Sequence, residues 1–513
     1  MAIVDIQSPG NLDFWVVPFT KYSTWLILLL IAIPLLRFGF QGRVLKNPSV
    51  PIAAVAPGES IKNARQRFRQ EAQKMLLEGY RKYKGKPFYV PSPLGELLML
   101  PPKYVEELKT AAVDEVDFVG TFFRMFEGKY TTMGSRATLH PRVARLQLNQ
   151  YMETVLQPVN DEVVNAFNDE IPVTENWTEV RIGPKLHWIT TRAASRMLGG
   201  KALASHGGWL QATLDFATDG FTGSQKIKAY PDILKPIFGP MLSEARRIPR
   251  HYEVTRNAVV PILESRREKR DAANDFLQWM ADDAKGEEQD FIYMADILLK
   301  LSFATTHTSA ATPVQLVYDL CDYPEYIPSL RAEMEEVLAQ HKVLDKRALG
   351  KLQKLDSFMK ESSRFNPLLV VTFQRIVHKG WTLSDGFTIP AGTQVGFPSQ
   401  ASAMDPDLYP DPEVFDGYRH EKVRAAVVND PSAVGRTQWA AANLENMAFG
   451  YGRHACPGRF FASHEVKMIM VHLLMTYDFK YVAGQKGRPA NVMAEEQMVP
   501  NHDTKIQMRR KRT

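Results

Sequence analysis

Apolar residues recur every three to four positions through residues 59–83 and 103–114, the spacing that lets a helix bury one face and leave the other to water. The same period continues over 140–167, 190–197, 209–216, 252–281 and 290–320, and shorter stretches at 325–341 and 355–364 repeat it. Each of these is predicted to be a helix. Residues 86–100 instead break into strand-like pieces around Pro91, Pro93 and Gly95, which predicts two short strands and a turn. Residues 370–377 and 381–397 also read as strands, the second interrupted by Gly386, Pro390 and Gly392. The expected fold class is mainly α with a small β component, in one large unit without internal repeats.

The amino end departs from this amphipathic pattern. Residues 25–36 are an uninterrupted apolar run, with a second apolar group at 15–19 separated from it by Thr20, Lys21, Tyr22, Ser23 and Thr24. Arg37, Arg43 and Lys46 follow the run, while Asp5 and Asp13 precede it. That arrangement predicts an N-terminal membrane anchor with a basic flank over residues 1–46 and a body, 47–513, on the cytoplasmic side. A cleaved signal peptide is the rival, but a basic start and a small-residue cleavage pattern are missing.

Composition narrows the chemistry. The 513 residues (58.1 kDa) are 45% hydrophobic, enough for a large core. Two cysteines leave almost no material for a disulfide scaffold or a multi-thiolate zinc site. The net charge of +6 is spread through interleaved acids and bases, so clusters such as 266–270 and 509–512 read as solvated faces rather than as a nucleic-acid surface.

One of the two cysteines carries the most information. Residues 449–458 read Phe-Gly-Tyr-Gly-Arg-His-Ala-Cys-Pro-Gly, a glycine-braced loop that runs into an apolar helical pattern. A lone thiolate, Cys456, suits haem iron, because the macrocycle supplies the equatorial nitrogens and the chain adds only an axial ligand. Gly450 and Gly452 let the backbone approach a flat cofactor, Phe449 packs on the sulfur side, and Arg453 and His454 are candidate donors to anionic propionates. The alternative for an isolated cysteine is an inert buried thiol at a helix start.

This loop resembles the haem-binding signature of the cytochrome P450 monooxygenases, Phe-x-x-Gly-x-(Arg or His)-x-Cys-x-Gly, with Phe449, Gly452, His454, Cys456 and Gly458 in the matching places. The resemblance implies a cytochrome P450 fold over 47–513 and haem b as cofactor. Cys456 is then the metal ligand, with Phe449, Gly450, Arg453, His454 and Arg375 around the cofactor. Glu361 and Arg364, three apart on one helical face, resemble the Glu-x-x-Arg pair of the family, and Arg419 its third, structural member, although residues 412–415 depart from the commonest Pro-Glu-Arg-Phe form. The family's Trp-x-x-x-Arg is missing around 140–150, where Arg142 and Arg145 are the candidates to replace it.

Residues 304–309, Ala-Thr-Thr-His-Thr-Ser, put hydroxyls and an imidazole into an apolar helix, where they are costly unless satisfied. The segment resembles the family's oxygen-activation motif, (Ala or Gly)-Gly-x-(Asp or Glu)-Thr-(Thr or Ser). Thr308 takes the hydroxyl position, His307 replaces the acid and Thr305 replaces the glycine. Thr308 and His307 are the candidate catalytic residues, Thr308 organising water and His307 either relaying protons near neutral pH or hydrogen-bonding within the helix. Ala304, Val370, Val371 and Phe373 are expected against the substrate, the last three on the strand that the family's topology sets over the haem.

The function so implied is dioxygen activation, with electrons from NADPH–cytochrome P450 reductase and cytochrome b5 as a second candidate donor. No flavin or nicotinamide pattern is read in the chain, so the donor is external. Residues 304–309 and 403–406 look most like fungal microsomal enzymes of secondary metabolism, including relatives of the fungal ent-kaurene oxidases. An apolar terpenoid or prenylated alkaloid is therefore the expected substrate, and the endoplasmic reticulum membrane the expected location, with the bilayer as a partner. Two rivals stay open: a haem-thiolate isomerase, dehydratase or peroxide-using enzyme, and a noncatalytic haem-binding membrane sensor.

Overall fold

Ser60 opens the first helix, Ile61–Lys82, by accepting the Asn63 backbone N–H on its hydroxyl oxygen (3.2 Å). Residues 47–171, 174–269 and 273–512 are described by this computed structural model. Ala64, Phe68, Ala72, Met75 and Leu76 form the buried stripe of that helix, which lies on strand Phe88–Ser92. Gly79 comes so close to the strand that a Cβ there would sit 2.5 Å from the Phe88 ring.

The axis of the body is helix Phe291–Asp322, 32 residues long and capped by Asp290, which accepts the Ile292 N–H at 2.9 Å. Helices Ile182–Ala204, Gly207–Ile227, Ser243–Lys269, Gln353–Phe365 and Arg459–Thr476 pack around it and close the largest hydrophobic core. Pro313 lies within this helix, and its missing N–H frees the Ser309 carbonyl one turn earlier. Ser309 immediately follows Thr308, so the ladder is loosened beside the hydroxyl-rich turn.

The helical period placed most of these elements, with two differences. The stretch 140–167 is three pieces, Leu139–Arg145, Gln147–Gln150 and Met152–Glu170, with Leu146 (ψ −73°) between the first two and Tyr151, which leaves helical geometry (ψ 14°), before the third. The stretch 252–281 ends at Lys269 and restarts as Phe276–Asp283, where Asp275 accepts the Gln278 N–H at 3.0 Å. A polar break of a few residues is invisible to a periodicity that resumes in phase after it.

The β component is small. Its main sheet runs, in spatial order, Phe88–Ser92, Gly95–Met99, Gln394–Phe397, Thr372–Val377 and Val116–Asp117. All neighbours are antiparallel except Gly95–Met99 with Gln394–Phe397. A hairpin, Val492–Ala494 and Gln497–Val499, touches the sheet region through the Leu369–Gln497 bridge.

The expectation of an N-terminal membrane anchor, and with it the endoplasmic-reticulum membrane topology and the bilayer as partner, is corrected to what the described residues show. No helix of the described residues is long and apolar enough to cross a membrane. Residues 1–46, where that anchor was expected, lie outside the described residues. The longest described helix, Phe291–Asp322, carries Asp296, Lys300, Asp319 and Asp322, and its apolar surface is covered by neighbouring helices.

Candidate active site

The Cys456 loop folds back on itself through backbone bonds. The Cys456 N–H donates to the Phe449 carbonyl (2.8 Å), and the Ala455 N–H to that of Gly452 (3.1 Å). Gly450 and Gly452 have φ of +74° and +68°, and a Cβ on Gly452 would meet Lys109 Cβ at 2.6 Å, so both the conformation and the space call for glycine. Phe449 meets Trp439 edge-on (4.9 Å), and the Trp439 indole N–H donates to Ser363 Oγ (2.8 Å), tying the loop to helix Gln353–Phe365. Burial pushes the Cys456 thiol up, opposed by the backbone N–H groups of Gly458 and Arg459 and by the Arg459 charge. A metal cation bound to the sulfur overrides that burial and holds the thiolate.

Beside the loop lies a set of nitrogen donors short of an anion. Arg375 is buried, donates only to the Gln374 carbonyl (2.7 Å) and has no carboxylate at ion-pair distance among the described residues. Its nearest acid, Asp117, is held by Arg136 (2.7 Å) and His378 (3.0 Å). Desolvation brings the Arg375 guanidinium down to about 10. Its plane lies over Phe118 (4.9 Å), on which the His454 ring stacks at 5.5 Å. His454 Nε2 and Arg459 Nε are buried without partners. Burial, then Arg375, Arg145 and Arg453, press His454 down to about 4. A buried cation without a counterion is unstable in isolation, so this cradle fits a flat dianionic group carrying a metal above a thiolate, the description of haem.

The two candidates for the early-helix role separate. Arg142 is bound to Asp283 and Glu288, whereas exposed Arg145 donates to the Arg453 carbonyl (3.5 Å) at the loop itself. Arg453 is exposed on the same side.

On helix Phe291–Asp322 the hydroxyls bond back to the preceding turn. Thr308 Oγ1 donates to the Ala304 carbonyl (2.6 Å), Thr306 Oγ1 to that of Ser302 (2.7 Å), and Thr305 Oγ1 to those of Ser302 (3.2 Å) and Leu301 (3.4 Å). Ala304 is exposed, and Leu301, Thr305, Thr308 and Thr312 are half-buried on the same stripe of a helix whose later turns are enclosed. That stripe is uncharged and not closed over by packing. His307 points elsewhere, meeting His187 edge-on at 4.4 Å, and burial takes it to about 4. Its ring is pressed toward the neutral form, because desolvation penalises the imidazolium.

Val370, Val371 and Phe373 are buried in the two cores flanking the sheet, while Leu368 and Leu369 before them are half-buried. The wall that sequence reasoning missed is aromatic. Phe118, Phe122, Phe126 and Phe303 follow one another at 5.0, 5.9 and 5.3 Å, linking the Arg375 cradle to the residue before Ala304. The four-residue spacing of the first three was the available signal.

The structural trio does come together. Glu361 is fully buried and accepts from Arg364 Nε (2.9 Å) and Nη2 (2.8 Å), from Arg419 Nε (3.2 Å) and from the Asp416 N–H (3.0 Å). Arg364 Nη1 also donates to the Ala403 (2.9 Å) and Pro412 (2.6 Å) carbonyls, and Arg419 Nη1 to that of Pro410 (2.6 Å). The three residues brace the 403–419 segment against helix Gln353–Phe365.

Comparison with known proteins agrees with this geometry. The family model described as Cytochrome P450 matches residues 134–508. A cytochrome P450 monooxygenase of Emericella nidulans is 34% identical over 455 residues, covering 87% of this chain and 84% of its own length. The ent-kaurene oxidase P450-4 of Gibberella fujikuroi is 34% identical over 454 residues, covering 87% of this chain and 89% of its own. Among solved structures, a retinoic acid-bound cyanobacterial CYP120A1 superposes with a TM-score of 0.64 at 19% identity, over 90% of this chain and 100% of that one, which is a likeness of fold.

Proposed function

The chain belongs to the cytochrome P450 family and is one of its monooxygenases, and from that premise we propose that it binds haem b through Cys456 and oxidises an apolar secondary metabolite of terpenoid or prenylated-alkaloid type. The observation that carries the reading is the lone sulfur of Cys456, backed by amide donors and flanked by Arg375 and His454 without an anionic partner. When bound, the haem supplies dioxygen activation, with thiolate donation favouring O–O cleavage.

The chain's own residues take the other tasks. Arg375 and His454 are assigned to the propionates by charge-assisted bonding, with Arg145 and Arg453 at the rim. Thr308 is assigned to holding water in the loosened turn, where its oxygen keeps a lone pair while its hydrogen is engaged with Ala304. The uncharged stripe around Ala304 and the phenylalanine wall favour a hydrocarbon substrate, because they offer dispersion contacts and no charge to desolvate. The names of the ent-kaurene oxidase relatives support the terpenoid class. Electrons are assigned to an external NADPH-dependent reductase approaching the positive face of Arg145 and Arg453.

Substitution Cys456→Ser is expected to abolish the red-shifted Soret band of the reduced carbon-monoxide complex. NADPH-dependent oxidation of a terpenoid and prenyl-indole panel is expected to be lost with it. Retention of the band with normal turnover overturns the assignment of Cys456.

A further inference from the structure

Monooxygenation consumes protons as well as electrons, so the turn that holds Thr308 needs a route from bulk water. Three histidines far apart in sequence meet behind that turn. His307 lies edge-on to His187 of helix Ile182–Ala204 (4.4 Å), and His187 stacks on His502 of the carboxy-terminal loop (5.8 Å). His307 Nε2, His187 Nε2 and His502 Nδ1 are each buried without a hydrogen-bond partner. The Leu214 carbonyl acts on His307, and since Nε2 is unpartnered, Nδ1 carries that hydrogen and Nε2 is a bare acceptor.

The approach of His502 is built into the fold. A Cβ on Gly183, at the start of helix Ile182–Ala204, would sit 2.7 Å from His502 Nδ1 and 2.8 Å from its Cα. Tyr318, on the same helix as His307, donates its hydroxyl to the Asn501 carbonyl (2.6 Å) and pins the loop. Next to His502, Asp503 is exposed and faces Arg181 at 3.8 Å, which marks the water-facing end. The charged and titratable groups that face the cluster among the described residues are the three imidazoles themselves, Asp503, Arg181 and the Tyr318 hydroxyl, and helix Gly207–Ile227 contributes the Leu214 carbonyl.

We infer that His502, His187 and His307 form a proton relay from the surface beside Asp503 to the turn of helix Phe291–Asp322 that holds Thr308. The inference rests on the proposed role of Thr308 and adds the path that feeds it. The bare nitrogens are not bonded to one another, so water links the rings: each imidazole accepts a proton at its bare nitrogen and releases one from the other, His307 giving its Nδ1 hydrogen to water as it leaves the Leu214 carbonyl, so one proton enters at His502 for each that leaves His307 and no electrons move. A water molecule carries the proton from His307 to the Thr308 hydroxyl, since the two side chains occupy different faces. All three rings are pressed toward the neutral form by burial, and a charge on His502 also opposes one on His187 and His307, so a single proton passes without being trapped.

The test uses the haem-loaded enzyme with its reductase. His187→Phe is expected to lower product per NADPH roughly fivefold to tenfold, raise peroxide correspondingly and increase the solvent isotope effect on product formation. The carbon-monoxide band and the substrate-induced spectral shift are expected to stay unchanged. His502→Phe, at the surface end, is expected to act in the same direction and serves if the helix variant fails to fold. A readout without turnover is the 15N histidine spectrum of the reduced carbon-monoxide form, where His307 is expected as the Nδ1–H tautomer and its Nε2 resonance is expected to move in His187→Phe. Unchanged coupling and isotope effect in a variant that keeps the band overturn the relay. Absence of the band from the unsubstituted protein overturns the haem-thiolate reading instead.

Discussion

Thr308 engages its hydroxyl with the Ala304 carbonyl, and this decides how its removal reads out. Thr308→Ala deletes a back-bond that helices tolerate poorly and inserts the best helix former, so stability is expected to hold or rise by about 0.5 kcal/mol. Coupling is expected to fall: peroxide released per NADPH should rise roughly tenfold relative to product, measured in one reductase-driven reaction. An unchanged peroxide-to-product ratio removes Thr308 from proton handling. At this scale the legible residues were those whose partners are near in sequence. Cys456 announces itself through Gly450, Gly452 and Gly458, and Thr308 through its hydroxyl-rich neighbours. His187 and His502 carried no such signal, because what joins them to His307 is packing between a helix, a second helix and a terminal loop. Val370, Val371 and Phe373 were assigned by analogy of position, and strand alternation does not say which face of a strand buried on both sides is open.

At the scale of elements, the Glu361 trio joins helix Gln353–Phe365 to the segment that leads into Arg419–Ala426. One carboxylate answers two guanidinium groups there, all three side chains being largely shielded from water. Glu361→Ala leaves both cations without a counterion and is expected to cost about 3–5 kcal/mol, read as a lower urea midpoint and weaker haem retention. Arg419→Ala is expected to cost less, since Arg364 still pairs with Glu361 by two bonds. Equal losses in the two variants argue against Glu361 as the shared anion. The pair at 361 and 364 was legible from its spacing, and Arg419 only through the resemblance, because a loop residue that reaches back to a helix leaves no period. Helix interiors were likewise legible and helix breaks were not: the interruption after Lys269 depends on the Asp275 cap.

Across the whole molecule, buried histidines dominate the expected response to pH. His140, His307, His464 and His472 are each taken to about 4 and His420 to about 2, with burial as the first cause in every case. A histidine held below its ordinary 6.5 stays neutral in the fold while the unfolded chain is already protonated. Stability from these groups is therefore full above about 6.5 and is lost as pH falls from there toward 4. Glu465 works in the opposite sense. It is fully enclosed on helix Arg459–Thr476, and burial raises it to about 8, with only the Ser309 hydroxyl opposing. Its protonated form favours the fold, so its contribution is full below about 4.5 and is lost as pH rises through about 8. The histidines outnumber it, so the urea midpoint of the protein is expected to fall steadily between pH 6.5 and 4.5. Glu465→Gln removes the opposing proton, and is expected to steepen that acid limb and to raise the midpoint at pH 8 relative to the unsubstituted chain. A midpoint that does not change from pH 7 to 5 means that these imidazoles are solvated in the native state, and a Glu465→Gln curve parallel to the original means that this carboxyl ionises normally inside the fold.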